Sequence, residues 1–211
     1  MIPPRRSPRA WCLLLMVTLA GLGADLWSKS WAFASVAESP VVLDRTDLID
    51  RPHASPIPPH PGWDVLPAGL LDFRLVLNQG AVFGIGAQQR GLLVGFTLIA
   101  VTIALFMFGW KTDARQRLAH VGIALVLAGA LGNLWDRVVY GRVRDFLHML
   151  PDWHLPFGLA WPGGSTEVWP WIFNIADVLL LAGLAVILIA MHRADKATRE
   201  AVTADQDASA A

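Results

Sequence analysis

The chain has 211 residues, 55% of them hydrophobic and 16% charged, with 17 basic residues balanced by 17 acidic ones. Soluble domains carry charge on roughly a quarter of their residues, so this composition and a mean hydropathy of +0.47 exclude an ordinary water-soluble protein. The single cysteine, Cys12, excludes an intramolecular disulfide and a thiolate metal cluster.

Spanning a bilayer takes about 20 largely apolar residues in one helix, because lipid offers no partner to an unpaired backbone. Four stretches qualify: residues 10–27, 91–109, 118–135 and 171–191. The first follows Arg5, Arg6 and Arg9, as a cleavable signal peptide would, but its apolar stretch is longer than a usual signal core and ends in polar residues. Asp25 and Lys29 stand one turn apart with the acid first, the favourable order for an ion pair on a helix, so an uncleaved helix is expected. Residues 38–67, rich in Pro and Asp, read as an extended or mobile surface excursion. From Leu71 to Asn78 apolar and polar residues alternate with period two, which predicts a strand. It runs into Asn78-Gln79-Gly80-Ala81-Val82-Phe83-Gly84, whose glycines permit a sharp course. The third span ends with Gly129, Gly132, Asn133 and Asp136 on one helical face, and Ala128 with Gly132 is a small-residue pair of the kind that lets membrane helices approach closely. Residues 136–170 form a second outer segment, rich in Trp, Pro and Gly over 151–170. Asn174 and Asp177 are expected on one face of the fourth span, with Asp177 roughly 9 Å below its outer end. Residues 192–211 read as a tail.

Nine of the 17 basic residues, among them Lys111, Arg115, Arg117, Arg193, Lys196 and Arg199, flank the ends of these spans on one side. The raw count alone does not decide the orientation. Arg45, Arg51 and Arg74, however, lie deep in a long loop together with many acids, where the positive-inside bias is weak, so both termini are expected to be cytoplasmic. Trp11 and Trp110 would mark the inner interface, and Trp27, Trp31, Trp135, Trp169 and Trp171 the outer one. The predicted fold is an all-α membrane protein, a single domain over residues 1–211: a four-helix transmembrane bundle with a small extracytoplasmic β-sheet or cradle and an interfacial periplasmic segment.

Two acids demand explanation, Asp145 in Arg-Val-Arg-Asp-Phe and Asp177 in Phe-Asn-Ile-Ala-Asp. A carboxylate at membrane depth costs on the order of 3 kcal/mol, so it is seldom there without a partner or a task. Two such acids suggest shared proton chemistry. In the bland reading Asp145 is an exposed loop acid neutralised by Arg142 or Arg144, and Asp177 only bonds helices together. A proton-coupled transporter using Asp145 and Asp177 as a relay is the alternative of a different class, but no internal repeat supports it. A non-enzymatic scaffold leaves the acids unexplained. His120 reads as interfacial, and His53, His60, His148 and His154 as solvated loop residues without metal-ligand spacing.

Taken together, Asp25-x-x-x-Lys29, Asn78-x-Gly80-Ala81-x-Phe83-Gly84, Gly129-Ala-Leu-Gly-Asn-Leu-x-Asp136-Arg137, Val143-x-Asp145-Phe146 and Phe173-Asn-x-Ala-Asp177 resemble the successive blocks of the lipoprotein signal peptidases, the type II signal peptidases. The blocks fall in family order between about residues 10 and 191; the 38–67 and 151–170 loops look longer than the family's, and Val82 stands where a smaller residue is common. The resemblance implies an aspartyl endopeptidase of the bacterial inner membrane with Asp145 and Asp177 as catalytic dyad. It implies that Asn78, Asn133, Arg137 and Asn174 hold substrate or brace the aspartates, with Asp25, Lys29 and Asp136 in support. It further implies a substrate, a diacylglyceryl-modified prolipoprotein cut just before its lipidated cysteine at the extracytoplasmic face. Two nearby carboxyl groups cannot both ionise cheaply, so one would activate water while the other polarises the scissile carbonyl. No metal or cofactor is required, membrane lipid is the surrounding partner, nucleic acid is not, and a monomer is expected.

Overall fold

Four helices are long and apolar enough to cross a membrane, covering Pro8–Ser35, Arg90–Lys111, Arg117–Val139 and Ile175–Thr203. They belong to a computed structural model that describes residues 3, 7–50, 55–80 and 89–210. Its elements, in chain order, are α1 (Pro8–Ser35), α2 (Arg45–Asp50), β1 (Trp63–Leu66), β2 (Leu71–Asn78), α3 (Arg90–Phe106), α4 (Arg117–Val139), β3 (Val143–Met149), β4 (Ile172–Phe173) and α5 (Ile175–Ala210).

Helix α1 starts where Ser7 accepts a bond from the Ala10 N–H and Pro8 takes the first turn, a position that needs no donor. It runs eight residues beyond the predicted end at Trp27, because the polar residues of its last turns, Asp25 and Lys29, are fully buried and paired. Helix α3 continues through a wider turn at Met107–Lys111. Helix α4 is the hub, packed against α1, α3 and α5.

Close approach explains why α4 carries so many small residues. A Cβ on Gly129 would collide with the Ala176 carbonyl oxygen of α5, and one on Gly132 with the Asp25 carboxylate of α1. The face drawn from sequence is thus divided between two neighbours. Lower in the bundle, Gly122 and Gly183 repeat the contact, each backbone lying against the other's carbonyl. The apolar core below is built from Leu14, Phe108, Ile123, Ala124 and Leu127.

The sheet has the order β1-β2-β3-β4 and is antiparallel throughout. Strand β2 occupies the predicted residues, but a bulge between Phe73 and Val76 interrupts its alternation. Phe73, Leu75, Leu77 and Phe146 seat the sheet on Ala32, Phe33 and Val36 at the end of α1.

Several expectations change. The 38–67 stretch holds α2 and β1, and Leu48 of α2 is buried; residues 51–54, His53 included, lie outside the described ones. Trp31, half-buried, packs on Trp63 and Phe73. His148 is buried in β3, its Nδ1 3.2 Å from Asp72 and its Nε2 3.3 Å from Glu167. Burial raises the carboxyl pKa of Asp72 even though the nearby His148 works against it. His60 accepts a bond from the Leu75 N–H, and His120 is buried beneath Phe108 with Thr112 at 3.1 Å. Helix α5 begins at Ile175, four residues later than drawn, and the expected tail continues as helix to Ala210, exposed over residues 192–203.

Candidate active site

Asp145 lies in β3 opposite Val76 of β2, and Asn78 ends β2 opposite Val143. Successive residues on a strand point to opposite faces. Arg144 therefore cannot turn to Asp145 and instead grips Asp136 of α4: its Nη2 donates to Oδ1 at 2.8 Å and its backbone N–H to Oδ2 at 3.0 Å. Arg142 donates to the Leu48 carbonyl at 3.2 Å. The bland alternative, an exposed Asp145 neutralised by Arg142 or Arg144, is thereby excluded.

Asp145 is 2% exposed and both of its oxygens accept amide bonds, from Asn78 Nδ2 at 2.9 Å and Asn174 Nδ2 at 2.6 Å. Asn174 is the residue that joins the two acids. Its backbone N–H donates to Asp177 Oδ2 at 3.1 Å, while its own Oδ1 accepts the Asp177 N–H at 3.2 Å. This reciprocal pair is a capping box on the first turn of α5. Asn174 thus stands before the helix, not on its face, and Asp177 sits at the helix entrance instead of two turns down a span that starts at Trp171.

Asn133 completes the ring, donating from Nδ2 to Asp177 Oδ1 at 2.8 Å and accepting at Oδ1 from Asn174 Nδ2 at 3.1 Å. The orientation of its amide is forced. Lys29 Nζ, which can only donate, bonds the same Oδ1 at 3.0 Å, so the Asn133 amino group must face Asp177. Lys29 also meets Asp25 at 2.8 Å and Asp136 at 3.5 Å with no solvent exposure. Asp25 in turn accepts the Ala176 N–H at 2.8 Å, which ties α1 to the first turn of α5. Arg137 bonds the carbonyls of Asn133 and Gly80 and acts electrostatically on Asp177, Asp145 and Asp136.

Every candidate residue drawn from sequence therefore falls in one connected cluster: Asp25, Lys29, Asn78, Asn133, Asp136, Arg137, Asp145, Asn174 and Asp177. Residues 81–88, with the Ala81-Val82-Phe83-Gly84 part of that motif, lie outside the described ones. Arg144 is the member that sequence reasoning missed, although strand alternation across Arg142-Val-Arg-Asp145 carried the signal. Burial, then the Asp177 charge, push the Asp145 carboxyl up to about 7; the amides of Asn78 and Asn174 and the Lys29 charge oppose them. Among the described residues no group of three or more His, Cys, Asp or Glu side chains converges as metal ligands would.

The sequence profile of signal peptidase (SPase) II matches residues 17–193, a span that holds the whole cluster. The chain belongs to the signal peptidase II family. It is similar to the lipoprotein signal peptidase of Dichelobacter nodosus, 30% identical over 84% of this chain and 93% of that one. The Methylorubrum extorquens lipoprotein signal peptidase is 33% identical over 83% of this chain and 82% of its own. A bacterial membrane enzyme solved in meso at 1.9 Å superposes with a TM-score of 0.57 at 25% identity, covering 90% of this chain and 97% of the other. A second, at 2.3 Å, gives 0.58 at 24% identity and bears on the fold alone. Family and fold together make this signal peptidase II member a multi-pass protease of the bacterial inner membrane.

Proposed function

We propose that the chain is an aspartyl endopeptidase that removes the signal peptide from diacylglyceryl-modified prolipoproteins, with Asp145 and Asp177 as the reacting pair. The observation that carries this reading is Asn174, which bonds Asp145 through its side chain and Asp177 through its backbone and so holds both acids in one network. Charge supports it. Around the pair, Lys29, Arg137 and Arg144 face the carboxyls of Asp25, Asp136, Asp145 and Asp177, three positive against four negative. One proton shared by the dyad brings the cluster to neutrality.

The two acids have unequal surroundings. Asp177 stands in the first turn of α5, at the positive end of the helix dipole, and accepts the Asn174 N–H and the Asn133 amide. Asp145 is buried and its pKa is about 7, so it carries the proton for much of the time near neutral pH. Asp177 accordingly takes a proton from water, the hydroxide adds to the scissile carbonyl carbon, and Asp145 protonates the carbonyl oxygen. As the C–N bond breaks, Asp177 returns its proton to the departing nitrogen and a hydroxyl of the intermediate restores the proton of Asp145. Asn78, Asn133 and Asn174 keep the carboxyls aimed, Arg137 adds positive charge beside them, and Asp25, Lys29, Asp136 and Arg144 lock the frame. The dyad lies at the sheet end of the bundle; the basic residues clustered at the opposite helix ends support an extracytoplasmic site with both termini cytoplasmic.

Purified protein in lipid, given a diacylglyceryl-modified precursor peptide and its unlipidated twin, should cleave the first just before the modified cysteine and leave the second largely intact. Cleavage of neither would overturn the assignment.

A further inference from the structure

The chain between β3 and β4 folds into an arm with an anchored base and a bare tip. The Leu155 N–H donates to Thr166 and the Val168 N–H to Trp153, both at 2.7 Å, and the Trp161 N–H donates to Ser165 at 2.8 Å. The base is fastened twice: Trp153 Nε1 donates to the Ala68 carbonyl at 3.1 Å, and Glu167 lies 3.3 Å from the buried His148, whose other nitrogen faces Asp72. Trp169 and Trp161 both pack on Trp171, at 5.3 and 4.8 Å between ring centres.

The tip is unlike a water-facing loop. Phe157 is 98% exposed and Leu159 58%, and Phe157 holds a left-handed backbone at φ +61, a conformation that costs a bulky residue energy and leaves its ring uncovered by the described residues. Between residues 153 and 166 there is no Asp, Glu, Lys or Arg; His154 is the one titratable side chain. An uncharged segment that displays Trp, Phe and Leu on a rigid base suits the boundary between lipid headgroups and acyl chains.

Its position favours lipid over another protein. Through Trp169 and Trp171 the arm runs directly into the first turn of α5, where the outward Val178 and Leu181 begin the apolar surface of a span.

We propose that the 153–169 arm is a lipid-inserting anchor whose Phe157 and Leu159 rest in the interface of the leaflet on the sheet side and set the height of the sheet above the bilayer. The proposal is independent of the cleavage chemistry. It is tested on the full chain in nanodiscs holding one copy each, with Cys12→Ser and a single probe site, Phe157→Cys or Leu159→Cys, carrying an environment-sensitive fluorophore. Both tip probes should show blue-shifted emission and lose intensity with spin-labelled phosphatidylcholine to the same degree as a Leu181→Cys probe on α5. A Glu200→Cys probe on the polar end of that helix should not. Three results would overturn the anchor: quenching no greater than at residue 200, a blue shift without quenching, which means contact with protein, or quenching that appears only when two copies share a disc.

Discussion

Replacing Asp145 with Asn should make the protein more stable at alkaline pH and less stable at acid pH. The Asp145 carboxyl titrates near 3.8 in the unfolded chain and about 7 in the fold. Between those values the unfolded carboxyl is ionised while the folded one keeps its proton, so folding takes up a proton and stability falls as pH rises, reaching its full loss above pH 7. At 1.36 kcal/mol per pH unit that loss is about 4 kcal/mol. Asn removes it but brings its own cost. One carboxylate oxygen becomes an amino group facing either Asn78 or Asn174, and neither amide is free to turn, because Gly80 N–H holds Asn78 Oδ1 and the Asp177 N–H holds Asn174 Oδ1. Two opposed donors cost about 1–3 kcal/mol at any pH. The variant should therefore gain about 1–3 kcal/mol above pH 7 and lose about the same near pH 4, a shift of several degrees in Tm that changes sign in between. Thermal unfolding in detergent, followed by tryptophan fluorescence across that range, reads it directly. A variant destabilised equally at every pH would refute the burial argument.

Three further outcomes follow from the same geometry. The rate of cleavage should describe a bell against pH, its limbs belonging to the dyad as a unit; a flat profile through acid and neutral pH would contradict the shared proton. Gly129→Ala drives a methyl into the Ala176 carbonyl at the turn that carries Asp177, so it should cost about 1–3 kcal/mol and on the order of 100-fold in rate, whereas Gly95→Ala, with open space around it, should change neither. Lys29→Met strands the buried Asp25 and releases the amide of Asn133, so stability should drop by about 3–5 kcal/mol; adding Asp25→Leu should restore much of the fold without restoring cleavage.

The sequence exposed the parts whose signal is local. Asp25 and Lys29 declared their pairing through spacing, and β2 through alternation, and both stand where they were drawn. Helix boundaries were harder because hydropathy reports transfer to lipid, not hydrogen bonding. The end of α1 looks polar in sequence yet is buried by long-range partners, and Asn174 looked like a helix-face residue although Asn-x-x-Asp before an apolar run is a capping pattern. Arg144 entered only as one of two neutralisers in the bland reading of Asp145, whereas the strand turns it to Asp136, eight residues back. His148 shows the same limit: its partners Asp72 and Glu167 come from another strand and a distant loop, which no local pattern reports.

The most direct test of the two-carboxyl account is cleavage of the lipidated precursor by Asp145→Asn and Asp177→Asn, made singly, with unfolding curves taken alongside. Each variant should stay folded and lose at least 1,000-fold in rate, roughly the scale on which removal of an essential proton-transfer group acts. Near-normal cleavage by either folded variant would contradict it.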